Sequence, residues 1–493
     1  MPESRLKAPD IIDGREWFLS VTRNMSFWHQ YLNTPGSYFH TRDFGINASR
    51  TSLFITIDGT KTYLFFTQKK AEEYDKAVIE AISSKKKVNN LRKMYFKHAR
   101  NLLNALENCK KVLNPTIWKK FIRCYEIFAA GLNITLIVGR AGSELLVEGL
   151  RKYGIADKDI SHITGVITYP EKHTPLFNSE LKMIEIAAEI QKRELKESKA
   201  EKKLKEWVAE FGHIPVNFCD EPWTIKDAKK QLKDALKGDC TEELKELSKS
   251  HTENIKKAKE LLKKINNDEI SALAYALAEG TYLNEFRKNI FSKVSLEYRP
   301  LFKKIAAKVG SKNWRDVFYL TPQETIDILD GVTVDIKRII SERKIAGAFI
   351  GQDEQTHLLD LETAKRLADY VWELQKGKAR KKTEEEVVKG FGVSVGIIKG
   401  IAKIILSSKD FYKLKQGDIL VAVMTSVDYV PIMAKAAAFV TNEGGITCHA
   451  SIVAREMGKP CIVGTKNGTR AIKDGDLVEV DANNGIVKII KRS

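Results

Sequence analysis

The sequence predicts a multidomain protein: a mostly α N-terminal and middle region with a small β element, followed by a C-terminal α/β domain. Three observations predict it. At 493 residues and 43% hydrophobic, the chain is long enough for more than one core. From about Ala71 to about Lys376, apolar residues recur at three- and four-residue spacing, the period of amphipathic helices. Beyond the charged stretch "QKGKARKKTEEE" (375–386) the texture changes to short β-branched runs separated by glycine.

Taken in order, "LFITIDGTKTYLFF" (53–66) places two β-prone runs around Asp58-Gly59, a hairpin signal in an N-terminal region of residues 1–200. Residues 200–375 form a helical middle, and 376–386 a linker whose charge switches from basic to acidic with a single glycine. Residues 387–493 form the last domain, with strands in "GVSVGIIKGIAKIIL", "DILVAVM", "AAAFVTN", "CIVGT", "DLVEVDA" and "GIVKII" and helices over 426–437 and 448–457. The stretch "LIVGRAGSELLVEGL" (136–150) reads either as strand, glycine turn and helix or as buried helix, and it lacks the lysine of a P-loop.

The balance of 82 Lys and Arg against 64 Asp and Glu gives a net charge of +18. Much of it lies on helix faces where acids and bases alternate, and no basic arm or nucleic-acid motif accompanies it, so a nucleic-acid partner is not expected. Six cysteines without CxxC spacing exclude a zinc ribbon and a dense disulfide framework. The N-terminus lacks the apolar run of a signal peptide, and no run of about 18 apolar residues occurs. A cytoplasmic protein without a membrane partner is expected, and no residue set is assigned to a metal.

The chemistry concentrates in "TNEGGITCHASIVAREMG" (441–458). An apolar strand runs into a paired-glycine turn, and a helix follows that ends at Gly458. Ala450, Val453, Ala454 and Met457 share one face of that helix, and His449 lies at the edge of the stripe, a place to be held firmly and still be reached. A helix start offers unpaired N–H groups and a partial positive charge, so an anion beside His449 is stabilised there. Gly444 and Gly445 let the backbone approach such a group, and Thr447 either caps the helix or donates to a phosphate oxygen. A neutral imidazole is a covalent nucleophile. Cys448 points away from its neighbour and reads as small-residue packing.

Residues 417–489 resemble the mobile phosphohistidine domain of the phosphoenolpyruvate-utilising enzymes, the family of phosphoenolpyruvate synthase, pyruvate phosphate dikinase and the rifampicin phosphotransferases. The likeness is ordered: GDILVA, then T and D-Y-V-P, then AAA-V-T-EGG-T-HA-IVARE-G-P-IVGT, then DGD-V-VD-G. It implies a swivelling β/β/α domain in which His449 takes a phosphoryl group and hands it to a second site, with Thr447 as the adjacent hydroxyl. Glu443, Gly444, Gly445 and Cys448 form the phosphate turn, and Thr425, Asp428 and Arg455 occupy supporting positions. "NWRDVFYLTPQETIDIL" (313–329) and "FCDEPWTIKDAKKQL" (218–232) are similar to the family's helical middle.

The family's other parts are not recognised. The chain stops soon after the last strand of the histidine domain, whereas a phosphoenolpyruvate-binding barrel needs about 250 residues. Residues 1–200 show no glycine-rich nucleotide loop or acidic metal cluster of an ATP-grasp domain. ATP and Mg2+ are therefore expected through a separate ATP-grasp-type partner, with a small-molecule acceptor or phosphoenolpyruvate and pyruvate at the other end. A non-catalytic relative that keeps the fold is the alternative. In "GVSVGIIKG" (392–400), Val395 stands where the family has proline. His173, His213 and the set His40, Arg42, Asp43, Asn47 and Arg50 are read as cleft or anion contacts, or as loop polarity.

Overall fold

The structure, a computed structural model, describes residues 5–7, 16–48, 51–58, 61–193, 195, 197–218, 220–352, 355–379, 387–425, 429–445 and 448–493. Its first sheet contains β1 (Arg5–Lys7), β2 (Glu16–Asn24), β3 (Ser52–Ile57), β4 (Lys61–Thr67), β5 (Ala346–Gln352) and β6 (Gln355–Leu358). The spatial order is β1-β2-β4-β3-β5-β6, and every neighbouring pair is antiparallel. The predicted hairpin is β3 and β4, with Asp58 in the left-handed region at φ 55°, which aspartate tolerates better than most residues.

The division at residue 200 is corrected by β5, which pairs along the whole of β3 although the sequence places it in the helical middle. Its sequence, AGAFIGQ, is mostly alanine and glycine, so it carries no alternating or β-branched signal. Pairing makes it a strand. Period-2 alternation then sends Leu53 and Ile55 to one face, under Ala364, Leu367 and Val371 of helix Leu361–Ala379. Phe54 and Phe349 go to the other, against Phe27.

One α-helical core, from Trp28 to Ile339, joins both expected regions. Its axis is helix Pro115–Lys152, flanked by Lys85–Lys111 and Asp268–Glu297. Residues 136–150 lie inside this 38-residue helix, so the buried-helix reading holds and the phosphate-turn reading falls. Pro115–Lys152 is also long and apolar enough to cross a membrane by length and composition, and 67% of its apolar window is buried inside the protein. The linker reading is narrowed: helix Leu361–Ala379 runs through its first residues, and 380–386 lie outside the described residues.

The C-terminal sheet has β7 (Val387–Lys389), β8 (Phe391–Ser394), β9 (Ile397–Ile404), β10 (Ile419–Ala422), β11 (Ala438–Thr441), β12 (Cys461–Val463), β13 (Leu477–Asp481) and β14 (Ile486–Lys491). Its order is β7-β14-β13-β9-β10-β11-β12-β8. Strands β9 to β12 are parallel, and the flanking strands are antiparallel. Every residue of β10 and β11 is buried, as in a parallel sheet covered on both faces. All six β-branched runs of the sequence become strands. Of the two expected helices, His449–Glu456 forms nearly as predicted, whereas the first is described as helix only over Val430–Met433.

Candidate functional site

The turn after β11 is built by local hydrogen bonds. The Glu443 N–H donates to the Val423 carbonyl (2.9 Å), and Thr441 Oγ1 donates to the Glu443 carbonyl (2.7 Å). Gly444 has φ +125°, and a Cβ there would lie 2.7 Å from Cys448 Sγ. Glycine is required for both reasons. The Gly445 carbonyl accepts from the Cys448 N–H (3.0 Å) and from Ser451 Oγ (2.7 Å), which ties the turn to the helix behind it.

The helix N-cap is Cys448, without a side-chain cap bond, rather than Thr447. Thr447 and Asp428 lie outside the described residues. Glu443 sits on the exposed side of the turn.

His449 begins the helix, with Nδ1 2.8 Å from Thr425 Oγ1. Both residues are buried, His449 to 5% exposure. The Thr425 hydroxyl can accept from Nδ1–H or donate to Nδ1; in the first tautomer the ring lone pair lies on Nε2, which is buried and has no hydrogen-bond partner among the described residues. Burial lowers the His449 pKa to about 4; Glu285 opposes that shift and Lys288 adds to it. The ring is therefore neutral near pH ~7.

The expectation that His449 stays reachable at the edge of a buried stripe is corrected, because its helix is covered on both sides. Ala450, Val453 and Ala454 face the sheet core as predicted. Ser451 and Ile452, on other faces of the helix, are buried too. A Cβ on Gly445 would lie 3.5 Å from the Gly139 carbonyl of helix Pro115–Lys152. Arg455 Nη1 donates to Thr168 Oγ1 (3.2 Å), and Thr174 Oγ1 to Glu456 Oε1 (3.4 Å). The site lies at the seam between the C-terminal domain and the helical region.

Residues 414–485 match the family model described as the PEP-utilising enzyme, mobile domain. This stretch is therefore similar to the mobile domain of the PEP-utilising enzymes. The chain is 51% identical over 119 residues to a probable phosphoenolpyruvate synthase of Archaeoglobus fulgidus, covering 22% of this chain and 16% of that protein. It is 43% identical over 165 residues to one of Methanothermobacter thermautotrophicus (31% and 24%). A phosphoenolpyruvate synthase of Pyrococcus furiosus is 50% identical over 103 residues (21% and 13%). The chain thus matches a quarter or less of the length of each of these relatives.

Within this region, the structure brings Thr425, Gly444, Gly445, Cys448 and His449 together. Arg455 lies further along the helix, where its Nε donates to the Ser451 carbonyl (3.1 Å) while its guanidinium reaches the helical region. Three residues were missed by sequence reasoning: Ser451, Glu285 and Lys288. Ser451 occupied a small-residue helix position. Glu285 and Lys288 sit in helix Asp268–Glu297, which the sequence offered only as an apolar-periodic part of the helical middle.

The other histidines singled out from the sequence have partners of their own. His40 Nδ1 bonds Asp43 Oδ2 (2.8 Å) and its Nε2 bonds Arg123 Nη1 (2.6 Å), so it ties a short turn to helix Pro115–Lys152. Arg50 lies outside the described residues, and Asn47 is exposed. His213 bonds Asn289 Oδ1 (2.8 Å), and the His173 ring packs at a tilt against Phe177 and His251.

Proposed function

We propose that this chain is a phosphotransferase component whose His449 carries a phosphoryl group between a donor and an acceptor. The observation that carries the reading is the ring itself: Nδ1 is held by Thr425 and Nε2 is buried, neutral and unpartnered. In the first step Nε2 attacks the terminal phosphorus of the donor; the N–P bond forms and the P–O bond to the leaving group breaks. The Nδ1 proton stays on the ring, shared with Thr425, so no separate base is needed. In the second step an acceptor attacks phosphorus and the electron pair returns to Nε2.

The donor is ATP, bound with Mg2+ by a separate ATP-grasp-type partner. The acceptor is a small molecule, with phosphoenolpyruvate and pyruvate as one possible couple, and the helical region is its place of delivery. In this reading the C-terminal domain swings between donor and acceptor. A reducing cytoplasm suits Cys109, Cys124, Cys240, Cys448 and Cys461, all unpaired.

Incubation with potassium phosphoramidate, with phosphoenolpyruvate, or with Mg-ATP and an ATP-grasp partner tests the reading by intact mass. An acid-labile, base-stable phosphoryl group on His449, lost in His449→Ala, is expected. No gain with any of the three donors overturns it and favours a non-catalytic relative.

A further inference from the structure

Helix His449–Glu456 is held from outside its own domain at both ends. Before it, the Gly445 turn lies against helix Pro115–Lys152, where an added Cβ would sit 3.5 Å from the Gly139 carbonyl. At its far end, Arg455 Nη1 donates to Thr168 Oγ1 (3.2 Å), and Glu456 Oε1 accepts from Thr174 Oγ1 (3.4 Å). Both threonines are oriented by a second bond. Thr168 Oγ1 donates to the Thr164 carbonyl (2.8 Å), and Thr174 Oγ1 accepts from the Phe177 N–H (3.2 Å) as it caps helix Pro175–Gln191. Helix Cys240–Ile265 braces the turn they bracket from behind, through Tyr169 Oη with His251 Nδ1 (3.1 Å) and Lys259 Nζ with Glu171 Oε1 (3.0 Å).

Between these two holds lies His449, with Nε2 buried. The hydrophobic cores on the two sides do not merge. Among the described residues one runs from Trp28 to Ile339 and another from Val393 to Val463, and Val430 is the apolar residue that packs across, onto the cluster of Leu176, Leu204 and Trp207. An interface held by a few polar contacts rather than a common core opens readily. We propose that the Thr168–Thr174 turn is a latch that shuts His449 against the helical region, so that a phosphoryl donor reaches Nε2 only when the latch opens. The closure rests on the seam alone; its use, keeping the carrier from any donor but one that opens it, rests on the carrier reading of His449.

The full chain is treated with diethyl pyrocarbonate, which acylates neutral imidazole, and rates at His449, at exposed His357 and at His29 in the helical core are followed by peptide mapping. Thr168→Val removes the acceptor of Arg455 and is expected to speed His449 by about tenfold, the worth of one charge-assisted bond, with His357 and His29 unchanged. Thr168→Ser, which keeps the hydroxyl, stays near the wild-type rate. A wild-type rate at His449 in Thr168→Val overturns the latch, and so does acceleration shared with His29, which is general loosening. Potassium phosphoramidate on the same proteins reads the carrier separately: a His449 that is acylated faster in Thr168→Val yet gains no phosphoryl group in any of them overturns the carrier reading and leaves the latch standing. Should Thr168→Val fail to fold by circular dichroism, Arg455→Met removes the same bond from the other side, and acceleration confined to His449 keeps the latch while any other result overturns it.

Discussion

Replacing Thr425 with valine removes one hydroxyl and leaves the side-chain shape almost unchanged. Thr425 is 8% exposed and its Oγ1 is 2.8 Å from His449 Nδ1, so no water replaces the lost acceptor without rearrangement. A buried donor left unmade costs about 1–3 kcal/mol of stability. The chemical effect is separate. Thr425 favours the tautomer with its proton on Nδ1, and losing a net bond of about 1 kcal/mol moves the ring toward the tautomer protonated on Nε2. Phosphoryl gain from phosphoramidate should then fall by about five- to tenfold, since about 1.4 kcal/mol is a factor of ten. Thr425→Ser, which keeps the hydroxyl, should recover most of that rate. Urea melts and intact-mass kinetics on the three proteins measure both effects. A Thr425→Val protein that melts with the wild type and gains phosphate at its rate refutes the argument that Thr425 sets the reactive nitrogen.

The His449 ring titrates near 6.5 in the unfolded chain and at about 4 in the fold, so the unfolded state binds more protons between those values. Stability therefore falls as pH drops through that window, and His449→Gln should remove about 2 kcal/mol of the loss between pH ~8 and pH ~5 in urea melts; equal slopes would count against it. Gly444→Ala should cost about 2 kcal/mol, from a φ of +125° and a Cβ 2.7 Å from Cys448 Sγ. Gly445→Ala should cost under about 1 kcal/mol, because its Cβ meets only an ordinary 3.5 Å contact; equal melts for the two would refute the backbone argument. Glu324 accepts from Arg343 Nη1 (2.6 Å) and Nη2 (2.7 Å) and from the Thr321 N–H (2.7 Å), so Glu324→Gln should cost about 3 kcal/mol, read as a drop in Tm.

The C-terminal domain was legible because its signals are local. Most of its strands fall in short apolar or β-branched runs read from the sequence, β7 (Val387–Lys389) excepted, and the turn at Gly444 is announced by a residue type that its backbone angle demands. The hairpin around Asp58 was legible for the same reason. Strand β5 was not, because AGAFIGQ becomes a strand only through hydrogen bonds to β3, some 290 residues earlier by chain position. With it went the expected boundary at residue 200, since the sheet and the helical core both draw on the two sides of that line.

For the proposed site, the sequence by itself picked out His449 and its turn. His449, Gly444, Gly445 and Cys448 lie within six consecutive positions, and the chain geometry of a strand, a glycine turn and a helix start follows from those residue types alone. Only the tertiary structure decided which ring nitrogen is available, how deeply the ring is covered, and which charges act on it. Thr425 lies 24 positions from His449. Glu285 and Lys288 belong to a helix that no local pattern connects to it. Burial and electrostatic environment are sums over neighbours brought in from distant parts of the chain, so no window of sequence contains them.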